Sequence, residues 1–146
     1  MMRDKLGLFG IENKDKFLIL DLLTWMHEKK ADYTNTFCHL MDKNIKEDKI
    51  YEDKDFQNWK MRWNERLKIN NSTPEKCLKL MMTVNPLVIP RNHKVEEVLE
   101  AAGKDNLKPI AQLLEVLKEP YSQKKNILNY QIPSKLDESY QTFCGT

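Results

Sequence analysis

Apolar side chains in this chain return again and again at intervals of three and four residues, in stretches separated by asparagine and proline. This spacing constrains the fold more than any other feature. A period near 3.6 gathers one face of a helix, whereas a half-buried strand needs a period of two. Phe56, Trp59, Trp63 and Leu67 are the plainest case. Leu18, Leu22 and Trp25 make a second stripe, widened by Phe17, Leu20 and Leu23, and predict a helix over 15–30. Asp32 is a suitable N-cap for a third over Tyr33, Phe37, Leu40 and Met41. Ser72-Thr73-Pro74-Glu75 reads as a capping box, with Ser72 and Glu75 as partners, opening a helix through Cys77, Leu78, Met81 and Met82. Asn85-Pro86 stops that helix, since the residue before proline avoids the helical region. Val95, Val98, Leu99 and Ala102 predict the next, with Gly103 as its stop. Ile110, Leu113, Leu114 and Leu117 predict the last, with Pro109 in its first turn and Glu119-Pro120 at its end.

Six helices and no strand give an all-α class, an irregular bundle with a partly extended C-terminal tail over 121–146. The charged stretch 43–55 carries no long stripe and reads as a connection, with a short turn at Ile50-Tyr51. A chain of 146 residues suits a single domain, 1–146. It contains four glycines, too few for a fold built on glycine turns, and no GxGxxG or GxxxxGK[ST] phosphate loop.

Charge narrows the partners. Lys and Arg number 24 against 22 Asp and Glu, and runs such as Lys46-Glu47-Asp48-Lys49 interleave the signs. Such a surface is solvated rather than shaped for phosphate, so no nucleic-acid partner is expected. No run of 18 apolar residues exists, so no membrane partner is expected either. Cys38, Cys77 and Cys144 are too few and too scattered for a disulfide framework, and no CxxC or HxxxH spacing marks a metal site. A reducing, cytoplasmic compartment fits. No nucleophile elbow or kinase signature appears. Adjacent carboxylates such as Glu96-Glu97 read as solvated charges. The residues thus predict no catalytic, cofactor or metal site in this chain. One reading is a free-standing helical protein–protein interaction module.

Two features do not dissolve into that reading. Asn85-Pro86 and Arg91-Asn92 flank an apolar strip, Leu87-Val88-Ile89-Pro90. The chain also closes on Thr142-Phe143-Cys144-Gly145-Thr146. Together they resemble the C-terminal region of the selenoprotein O family: Asn-Pro, an apolar strip, Arg-Asn, a helix ending in Glu100-Ala101-Ala102, then Leu113-Leu114-Glu115-Val116-Leu117 and Pro120-Tyr121. Met2-Arg3-Asp4-Lys5-Leu6-Gly7-Leu8, Asp32-Tyr33-Thr34 before Phe37, Trp59, and Trp63-Asn64-Glu65-Arg66-Leu67 resemble further family segments. Cys144 stands where that family has selenocysteine or cysteine. Gly145-Thr146 departs from its usual serines, and Pro90 before Arg91 is a second departure.

The resemblance implies a piece of a kinase-like protein adenylyltransferase, which moves AMP from ATP to protein hydroxyls with a metal ion. ATP and Mg2+ are implied for the parent protein only, since the family's catalytic residues lie upstream of this region. The implied partners are the upstream kinase-like catalytic lobe and the parent's protein substrates. Cys144 is the implied redox residue, while Asn85, Pro86, Arg91 and Asn92 are motif positions with an expected structural role. The Met1-Met2 start permits a split reading frame, and a mitochondrial location follows if the parent carries a targeting segment.

Overall fold

A computed structural model describes residues 1–42, 49–123 and 127–134. Among them are eight α-helices, one 3-10 turn and no strand, so the all-α class holds. The backbone gathers into two compact units, Met1–Pro86 and Leu87–Thr146. No helix among the described residues is long and apolar enough to cross a membrane.

The first unit holds α1 (Met2–Lys5), α2 (Asp15–Glu28), α3 (Tyr33–Leu40), a 3-10 turn (Lys49–Glu52), α4 (Lys54–Lys68) and α5 (Pro74–Val84). Helices α2 and α4 run antiparallel. Trp25 near the end of α2 bonds Asp53 at the start of α4, and Asp15 at the start of α2 bonds Arg66 at the end of α4. The predicted aromatic stripe is the spine of this core: Phe56, Trp59 and Trp63 are buried. Trp25 packs on Phe56 with ring centroids 4.6 Å apart, and Trp59 stacks on Trp63 at 5.9 Å. Each large apolar side chain taken from water here contributes about 1.5–3 kcal/mol. The three indole nitrogens do not forfeit that gain, because each donates a hydrogen bond: Trp25 to Asp53, Trp59 to the Leu18 carbonyl, Trp63 to the Leu6 carbonyl.

Several local expectations change. Helix α2 stops at Glu28, short of Lys30, because Lys30 turns left-handed (φ +53°) and Ala31 N–H returns to the Met26 carbonyl at 2.9 Å. Phe17 and Leu20 do not join the buried stripe and are 64% and 46% exposed. The start of α5 is capped by Thr73 rather than Ser72. The Thr73 hydroxyl accepts from Lys76 N–H, and Pro74 follows as the first helical residue. In the charged connection, 43–48 lie outside the described residues. Beyond them Tyr51 is buried, and Asp53 caps α4 by accepting from Asp55 and Phe56 N–H.

The second unit holds α6 (Asn92–Ala102), α7 (Lys108–Leu117) and α8 (Leu128–Gln131). Helices α6 and α7 pack on each other, burying Val98, Leu113 and Val116. Residues 86–90 are non-helical, as their prolines predict. Leu87 and Val88 are buried there, and both N–H groups reach the Pro120 carbonyl, at 2.7 and 3.3 Å. Gly103 follows α6 but stays right-handed. The left-handed residue of that turn is Asp105, with Asn106 N–H bonded back to the Ala101 carbonyl. The stretch read as tail is partly built in: Ile127 is buried, and the Gln131 amide donates to the Leu87 carbonyl at 2.8 Å.

Candidate functional site

The phase of α4 that buries Trp59 and Trp63 also turns Arg66 inward, three residues further on. Its guanidinium is 8% exposed and meets the Asp15 carboxylate, which is fully buried at the first residue of α2. Arg66 Nε donates to Asp15 Oδ1 at 2.7 Å, one terminal nitrogen to Asn70 Oδ1 at 2.6 Å, and the other to the Phe9 carbonyl at 3.1 Å. Asp15 Oδ2 also accepts from Arg3 Nε at 2.9 Å and from Glu12 N–H at 3.1 Å. Asn70 completes the set by donating to the Gly7 carbonyl and the Cys77 thiol, and by accepting from Phe9 N–H. Burial alone pushes the Asp15 carboxyl up. The bonds from Arg66, Glu12 N–H and Arg3 outweigh it and hold the group below its ordinary value.

Gly7 explains how the backbone enters this network. Its φ is +67°, and a β-carbon there would stand 3.0 Å from the Cys77 carbonyl. The segment from Leu6 to Glu12 is thereby fixed from both sides by polar bonds, and its chemistry is that of a clamp. The pair is not among the sequence-based expectations. The phase that Arg66 shares with Trp59 and Trp63 is the one local signal of its burial, whereas nothing local points to Asp15, 51 residues away.

A second polar node sits at Asp53. The Lys29 ammonium, 2.7 Å away, is the main reason its carboxyl is lowered to about 2, and Trp25 Nε1 adds to it. The motif residue Asn85 forms a third, at the C-cap of α5 and 1% exposed. Its amide donates to the Lys5 carbonyl at 2.9 Å and its oxygen accepts from Lys5 Nζ at 3.2 Å, which ties α1 to the end of α5. Lys5 Nζ also reaches the Val84 carbonyl and lies over the Phe37 and Tyr33 rings, and burial lowers its pKa.

The other candidate residues fall as follows. Pro86 is half-buried and closes the first unit; its carbonyl is 3.8 Å from the Cys38 sulfur. Arg91, half-buried and extended, occupies the N-cap of α6, and Asn92 is the exposed first residue of that helix. Cys144 lies outside the described residues. Cys38 and Cys77 are buried.

Helices α3, α4 and α5 also border a groove of about 810 Å³ lined by Leu40, Met41, Trp63, Leu67, Leu78 and Met81. Among the described residues no three His, Cys, Asp or Glu side chains converge as a metal site. The two strongly bonded carboxylates, Asp15 and Asp53, are committed to Arg, Lys, Trp and backbone N–H donors. They do not fit the role of metal or nucleotide ligands.

The family profile described as protein adenylyltransferase SelO matches residues 1–118. Relatives named protein nucleotidyltransferase YdiU are similar along the whole chain. The one from Pelagibacter ubique is 50% identical over 147 residues, the one from Alcanivorax borkumensis 46% over 148, and the one from Nitrosococcus oceani 45% over 148. Each alignment covers 100% of this chain and 30–31% of the relative, so the chain spans about three-tenths of their length.

Proposed function

This chain belongs to the protein adenylyltransferase SelO family, and from that premise we propose that it is the C-terminal helical region of such an enzyme. In this reading the parent transfers AMP from ATP to protein hydroxyls. ATP and Mg2+ are held by the upstream portion, and this chain braces that portion without supplying a reacting group. The observation that carries the reading is the coverage: similarity at 45–50% identity runs along the whole of this chain yet takes in only 30–31% of each relative. Its polar nodes support the same division of labour. Arg66, Asp15, Asn70 and Asn85 are turned inward onto the chain's own backbone, as bracing requires.

Cys144 takes the redox role in this proposal. Because Cys38 and Cys77 are buried, its disulfide partner belongs to the upstream portion. Replacing Cys144 by serine in a full-length protein should abolish redox sensitivity of AMP transfer; unchanged sensitivity would remove the role.

The main test is direct. The isolated chain, incubated with labelled ATP, Mg2+ and a protein substrate, should label nothing above background. A chimera in which it replaces the matching three-tenths of the Pelagibacter relative should transfer label. Transfer by the isolated chain would overturn the proposal. The exposed apolar side chains give the interaction-module reading its support, and an unlabelled chimera that folds would favour it.

A further inference from the structure

The clamp around Asp15 and Arg66 holds out what it does not bury. Phe9, Ile11, Phe17 and Ile69 are 37%, 77%, 64% and 64% exposed. All four stand at the same end of the antiparallel α2–α4 pair, on or beside the members of one network. Phe9 is bonded through its N–H to Asn70 and through its carbonyl to Arg66. Ile11 precedes Glu12, whose N–H is held by Asp15. Phe17 is two residues past Asp15, and Ile69 is one before Asn70. Isolated exposed apolar residues are ordinary, whereas four large ones at one end of a helix pair, on a fixed backbone, suit an interface. The backbone here is fixed by a buried ion pair and shaped by Gly7 and Gly10, both left-handed at φ +67° and +74°. Ordering this segment therefore costs a partner little at the moment of contact, which is the condition under which apolar anchors bind well.

We propose that Phe9, Ile11, Phe17 and Ile69 form a pre-shaped docking surface for an apolar cleft on the upstream portion of the parent protein. The occupant follows from length. About seven-tenths of each relative lies outside the region that this chain matches. The proposal rests on the reading of the chain as a bracing region, and it names the face by which the bracing is done.

Backbone hydrogen exchange tests it on two proteins that need no substitution, this chain alone and the intact Pelagibacter relative. Peptides covering 6–18 and 66–72 of this chain are compared with the aligned peptides of the relative. Exchange in both segments should be at least tenfold slower in the intact relative. If other aligned segments gain protection and these two do not, the docking surface lies elsewhere and this inference fails alone. If no aligned segment gains protection, the bracing reading fails with it.

Discussion

Remove the Arg66 guanidinium and the Asp15 carboxylate is left with no exposure to water and two of its hydrogen bonds gone. Breaking one side of a buried pair costs about 3–5 kcal/mol, because the remaining charge stays desolvated. Arg66→Met should lower the unfolding free energy by about that amount in urea denaturation. The pH dependence of the deficit identifies its cause. In the native protein the Asp15 pKa is depressed, so its stabilisation is present above the ordinary value of 3.8 and lost as pH falls through the lower, folded value. In Arg66→Met both contributions of Arg66 to that lowering are gone while burial still pushes the group up, so Asp15 takes its proton at a higher pH than in the native protein and protonation relieves part of the penalty. The gap between variant and native protein should therefore narrow as pH falls through the acid range. A gap independent of pH would mean that lost packing, not charge, is responsible. A glycine pair separates strain from collision in the same segment. Gly10→Ala meets nothing within 4 Å, and strain alone predicts a loss of about 1 kcal/mol. Gly7→Ala adds the contact with the Cys77 carbonyl and should lose clearly more, read from the same denaturation curves.

At the scale of elements, the caps decide where helices begin and end, and they decide how much was legible. Proline and periodicity located α4, α5, α6 and α7, because both act within one turn of chain. Asp53 was hidden in a run of charges: it caps α4 through the local Asp55 and Phe56 N–H groups, but its side-chain partners Trp25 and Lys29 come from the far end of α2. Phe17 and Leu20 fit the periodicity of α2 yet remain exposed, because periodicity identifies an apolar face but not whether a neighbour covers it. The motif residue Asn85 was legible as a stop before proline. Its bonds to Lys5, 80 residues away, were not. Two measurements follow. Asp53→Asn retains a capping oxygen but loses the charge facing Lys29. Because the native pKa is lowered to about 2, the stability lent by that charge is complete above 3.8 and vanishes as pH falls through about 2. Urea midpoints taken from pH 5 to pH 2 should therefore fall less steeply in the variant than in the native protein. Asn85→Leu removes both bonds to Lys5 and leaves the partly buried Lys5 carbonyl without its amide donor. That should cost about 1–3 kcal/mol. Loss of the slowest-exchanging amides in α1, with those of α4 unchanged, would locate the damage where Asn85 reaches.

For the molecule as a whole, the proposed reading gives this region a bracing part in an enzyme whose chemistry is carried out by the upstream portion. A brace alters how long the active arrangement survives, whereas a substrate-binding element alters how tightly substrate is held. Arg66→Met separates the two when placed in the chimera with the Pelagibacter relative. Arg66 is 8% exposed and is bonded to Asp15, Asn70 and the Phe9 carbonyl, all within this chain. Its loss loosens the segment from Leu6 to Glu12 and, in the proposed reading, removes no contact with the nucleotide. The temperature of half-inactivation should fall by several degrees, since about 1 kcal/mol moves the midpoint of a domain by roughly 2–8 °C. At a temperature where both proteins remain folded, the KM for ATP and the kcat of AMP transfer should be unchanged. A KM for ATP raised severalfold with an unchanged inactivation temperature would reverse the assignment. It would place this region in the nucleotide's path, because only uniform binding lost to ATP produces that pattern.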